Sequence, residues 1–125
     1  MNEEAWIFQN DPFLMVWRAF KNLYPDKNCN CFWEPNIRNN EKDEECCGLT
    51  DFDVETGEVS VFIKPSLSVF DAVEIFAHEL AHVAVGVEHD HDDAWEKAFE
   101  DIFIEYNRIG EMMFPNKQTQ EEDND

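Results

Sequence analysis

Two histidines four residues apart, with a glutamate directly after the first, occur at His78-Glu79-Leu80-Ala81-His82. On an α-helix, residues i and i+4 stand one above the other, so both imidazoles can present a ring nitrogen to a single metal ion. Glu79 lies on the flank of that stripe. From there a carboxylate can reach a water on the open side of the metal without becoming a ligand, as a general base in zinc-dependent hydrolysis must. His89 and His91 follow within ten residues, so all four histidines of the chain fall within residues 78–91. Histidines on an amphipathic helix are more often core or surface residues. Here the clustering, among the small or apolar Phe76, Ala77, Leu80, Ala81, Val83, Ala84 and Val85, favours ligands.

Catalytic zinc takes three protein ligands and keeps one position for water, so a residue beyond the helix must complete the set. By proximity His89, His91, Asp90, Asp92 and Asp93 all qualify, as do Glu96 and Glu100 on a following helix. The metzincin arrangement is excluded, because its glycine and third histidine would fall where Val85 and Glu88 stand.

Several elements must position these groups. Asp11-Pro12 reads as an N-cap and first helical position, and Phe13, Val16, Trp17, Phe20, Leu23 and Tyr24 recur at helical spacing. This predicts a helix over residues 12–24, stopped by Pro25, with Trp6, Ile7 and Phe8 packed beside it. Residues 28–33 suit a short strand, and the polar residues 34–45 a loop. Leu49, Phe52 and Val54, the turn Glu55-Thr56-Gly57 and the alternating residues 58–63 predict a hairpin. Ser68 with Asp71 makes a start like a capping box for the histidine helix, which extends to Val85 and ends at Gly86. The chain can then return His89 or His91 to the first two histidines. A last helix from about Asp92 presents Trp95, Ala98, Phe99, Ile102, Phe103 and Tyr106 on one face and stops at Gly110. The expectation is one α+β domain over residues 1–115 and a disordered acidic tail over residues 116–125, with no internal repeat.

The run His91-Asp92-Asp93-Ala94-Trp95 supplies a histidine, an aspartate, two variable residues and an aromatic after the helix motif. In this it resembles the SprT-like and Wss1-like zincin metallopeptidases. Gly86, four residues after His82, is a feature of Wss1-type members. The resemblance covers roughly residues 58–106 and is specific at the motif. It implies a minimal zincin-like fold: an N-terminal helix, a small twisted sheet, the motif helix and a C-terminal helix. One zinc ion per chain would be held by His78, His82 and His91, with Glu79 as the base for peptide-bond hydrolysis and Trp95 packing behind the turn. His89 falls outside that ligand set. Asp92 replaces the glycine usual in SprT-like members, and is expected to cap the last helix or orient an imidazole. Zincins commonly hold substrate backbone along an edge strand, which nominates Val59, Val61 and Ile63, residues that a core strand would equally carry. Larger relatives add basic DNA-binding or zinc-ribbon segments, which this sequence lacks, so a DNA-linked role does not transfer.

The composition sets the class of partner. Twenty-nine acidic residues against nine basic ones give a net charge of −20, and no Lys or Arg occurs between Lys64 and Lys97. Such a surface repels phosphate backbones and excludes direct nucleic-acid binding, while basic peptides or segments would be attracted. The acidic N-terminus and the lack of a long apolar run predict an intracellular protein with no signal peptide or membrane span. Cys29, Cys31, Cys46 and Cys47 are then expected as reduced thiols rather than as a second metal site or disulfides. The rival function is a non-catalytic, zinc-stabilised acidic protein that binds a basic partner or mimics nucleic acid. Glu79 argues against it, since a structural zinc site has no use for a carboxylate there.

Overall fold

The computed structural model describes residues 10–39 and 44–113. The expectations for Trp6, Ile7, Phe8 and the acidic tail lie outside those residues. The described chain is α+β, with three helices, a three-stranded mixed sheet and a small two-stranded ribbon.

Helix α1 (Pro12–Leu23) begins as its sequence demands. Asp11 Oδ1 accepts from the backbone N–H groups of Phe13 (2.8 Å) and Leu14 (3.2 Å), and Pro12 fills the first turn. Strand β1 (Asn30–Trp33) follows. The segment expected to be loop then contains two short antiparallel strands, β2 (Arg38–Asn39) and β3 (Glu44–Glu45). Ile37 is buried and Cys46 N–H donates to its carbonyl, anchoring this ribbon. One buried isoleucine in a polar stretch creates no period to read.

Strands β4 (Gly48–Phe52) and β5 (Val59–Ile63) form an antiparallel hairpin with Phe52 opposite Val59. Asp53 Oδ1 accepts from Glu55 and Thr56 N–H, and Gly57 takes the positive φ of 81° that the turn needs. The strand order is β1-β5-β4, with β1 parallel to β5 and Asn30 opposite Ser60.

Helix α2 (Val69–Val85) is capped by Ser68 Oγ, which accepts from Asp71 N–H, and ends at Gly86 with φ 93°. Helix α3 (Asp93–Met113) runs past Gly110, the expected stop. A helical glycine costs only about 1 kcal/mol relative to alanine, and Gly110 packs near Met15 Cε within the helix instead of capping it.

Helix α2 contacts the sheet, α1 and α3. Its buried Ala72, Val73, Phe76, Ala77 and Leu80 join Val16 and Phe20 of α1, Val61 and Ile63 of β5, and Ala98 and Ile102 of α3 in one core. Among the described residues no helix is long and apolar enough to cross a membrane.

Candidate metal centre

The motif residues sit on the third and fourth turns of α2, where the opposite face is anchored in the core and the helix cannot roll. Gly86 ends the helix, and residues 87–92 loop back over its last turn. His91 adopts φ 56°, a left-handed conformation uncommon for a residue with a side chain. It directs the imidazole at the other two. His91 Nε2 lies 3.1 Å from His78 Nε2 and 3.2 Å from His82 Nε2, and one ligand atom from each of the three lies within 4.8 Å of the others. Tetrahedral ligands at a Zn–N distance of about 2.0–2.1 Å stand about 3.3–3.4 Å apart, a spacing that the two pairs made by His91 approach. Three His residues, 78, 82 and 91, are close enough to bind a metal ion.

The environment keeps His78 and His82 in the ligating form. Burial first, then the proximity of His82 and His91, pushes the His78 imidazole down to about 4. His82 is also lowered, by burial and His91, against the opposing pull of Asp90. Both of these imidazoles are therefore neutral at neutral pH. Asp90 Oδ1 stands 3.3 Å from His91 Nδ1, on the side of the ring away from the cluster, where a carboxylate can orient a ligand.

His89 does not converge. Its Nδ1 lies 2.7 Å from Asp92 Oδ2, while Asp92 Oδ1 accepts from Trp95 N–H at 3.0 Å. Asp92 therefore performs both roles expected of it, capping α3 and holding an imidazole, although that imidazole is His89. Trp95 stacks on His82 with ring centres 5.5 Å apart, meets the edges of His78 and His91 at 4.7 Å each, and donates Nε1–H to the His78 carbonyl.

Glu79 is 6% exposed. Burial pushes its carboxyl up to about 7, opposed by a hydrogen bond from Thr50 Oγ1 to its Oε1 at 2.6 Å. Gly48 lets β4 approach closely, since a Cβ there would fall 2.5 Å from Ile75 Cγ2 and 2.9 Å from Glu79 Oε2. Sequence reasoning missed both residues. They lie about thirty positions from Glu79, and no local spacing links them.

A cleft of about 530 Å³ joins these groups, lined by Gly48, Thr50 and Asp51 of β4 together with the histidines and Glu79. Val59, Val61 and Ile63 do not form its edge. They belong to the central strand, paired on both sides by β1 and β4, and Val61 and Ile63 are buried. The strand bordering the cleft is β4, whose outer edge is unpaired among the described residues. No family model, curated protein or solved structure matched the chain.

Proposed function

We propose that the protein is a zinc-dependent peptidase of minimal zincin type, similar to the SprT-like and Wss1-like enzymes. The observation that carries this reading is the convergence of three imidazoles beside a buried carboxylate in an open cleft. Zinc, when bound by His78, His82 and His91, supplies Lewis acidity that polarises a carbonyl and makes a water nucleophilic at neutral pH.

The chain's own residues do the remainder. Glu79 accepts the proton of the attacking water and returns it to the leaving amine, a role suited to a carboxyl whose burial places it near neutrality. Thr50 fixes the carboxylate's rotamer. A peptide laid along the edge of β4 that is unpaired among the described residues would bring a carbonyl into the cleft, main chain pairing with main chain. The cleft lining also includes Arg38, but Asp51 and Asp90 beside the histidines, within a chain of net charge −20, favour basic side chains in that peptide. The non-catalytic alternative calls for a fourth protein ligand, and among the described residues the cluster comprises three.

Metal analysis of protein purified without added zinc tests the centre, with about one zinc per chain expected. A value near zero with no uptake on titration sinks the reading. Incubation with a mixed peptide library should generate new termini, and Glu79→Gln should cut the rate at least about 100-fold while retaining zinc. Undiminished cleavage by that variant would remove Glu79 as base. Zinc binding without cleavage of any unfolded polypeptide would favour the structural alternative.

A further inference from the structure

Away from the histidine cleft, Cys29 and Cys31 flank Asn30 at the start of β1. Their Sγ atoms stand 3.9 Å apart, within hydrogen-bonding reach for sulfur. Both are free thiols, Cys31 exposed and Cys29 half-buried. They border an apolar cavity of about 420 Å³ walled by Phe13, Trp17, Trp33 and Phe76, which among the described residues shares no lining residue with the cleft. Among the described residues no side chain fills the space beside both sulfurs, so an incoming reagent need not displace one of them.

We propose that Cys29 and Cys31 form a redox-active dithiol that reacts with low-molecular-weight disulfides, Cys31 attacking and Cys29 resolving. The exposure of the two residues assigns the order, because an external sulfur reaches Cys31 first. Their electrostatics agree. The hydrogen bond from Cys29 holds the Cys31 thiol below its ordinary value, and the same contact together with burial pushes Cys29 up. A thiolate accepting a hydrogen bond from a neighbouring thiol is the attacking form.

In the first step the Cys31 thiolate forms a bond to one sulfur of the reagent, whose S–S bond breaks, and the expelled thiolate takes a proton. Cys29 then gives up its proton and attacks Cys31 Sγ, forming the internal disulfide and expelling the second thiolate. Two protein thiols are oxidised by two electrons, and one external disulfide is reduced to two thiols. Residues i and i+2 on extended chain have Cα atoms about 6.6 Å apart, near the upper limit of what a disulfide spans. The bond is therefore strained and easily reduced, a reversible couple rather than a structural staple. Cys29 precedes the regular strand, so its backbone can adjust as the ring closes.

Glutathione disulfide is the probe for the full chain. Tryptic cleavage after Lys27, Arg38 and Lys42 separates Cys29 and Cys31 from Cys46 and Cys47. Mass spectrometry should show the first peptide losing two hydrogens while Cys46 and Cys47 remain open to alkylation. In the reduced protein, brief alkylation should label Cys31 roughly tenfold faster than Cys47. Cys29→Ser should halt at a glutathione adduct on Cys31, and Cys31→Ser should leave Cys29 unmodified. Labelling of Cys31 no faster than Cys47, or a first product that involves Cys46 or Cys47 or links two chains, would overturn the proposal.

Discussion

At the residue scale the site divides into groups that the sequence announces and groups that it conceals. His78, Glu79 and His82 are legible because helical periodicity alone brings them together. His91 is harder, since its approach depends on a left-handed backbone at one position and on Trp95 behind it. The two loop histidines separate experimentally. His91→Ala should weaken zinc binding by about 100-fold or more, and His89→Ala by less than about tenfold, read by competition with a chromophoric chelator. A larger loss for His89→Ala would move the third ligand there. Glu79 gives a pH test in metal-free protein. Its folded value, raised by burial to about 7 from an ordinary 4.5, means that its stabilising contribution is complete below 4.5 and lost as pH rises through 7. Glu79→Gln carries no such titration. The variant should therefore gain on the parent across that window, approaching about 3 kcal/mol, as followed by urea midpoints. An opposite trend would show that the folded protein prefers the charged carboxylate.

Among the elements, helices were readable and sheet order was not. The three helices carry local marks: Asp11-Pro12 and Ser68 at their starts, Gly86 at an end, and apolar faces at helical spacing. Gly110 misled, because a glycine inside a packed helix looks like a stop in sequence. The hairpin was visible from alternation and its turn, whereas the parallel pairing of β1 with β5 joins residues thirty apart and leaves no period. The edge role thus passed from β5 to β4. Close approach of β4 to α2 through Gly48 is testable. Gly48→Ala should destabilise the fold by about 1–3 kcal/mol, because Ile75 and Glu79 occupy the space of the new methyl group. Denaturant unfolding measures it, and an unchanged midpoint would mean that the two elements part easily.

For the molecule as a whole, charge is the dominant property. Residues 65–96 carry eight acidic side chains and no Lys or Arg, and this span includes every motif residue. Long-range attraction should speed encounter with cationic peptides at low salt and fade as the Debye length falls to about 10 Å at 0.1 M. Matched lysine-rich and glutamate-rich peptides should therefore differ in cleavage or binding at low ionic strength and converge at high. Equal behaviour at low salt would leave the acids as agents of solubility alone.

The ring of Trp95, held in contact with all three clustered imidazoles, makes the indole an optical gauge of the centre. Protonating or metallating those rings alters the field across the indole and the quenching it experiences. Emission should shift when zinc is added, and should be strongly quenched by a paramagnetic ion such as cobalt. Trp17 and Trp33 line the separate apolar cavity and would supply a constant background. Occupancy could then be followed in real time without a label, and Trp95→Phe should erase the signal.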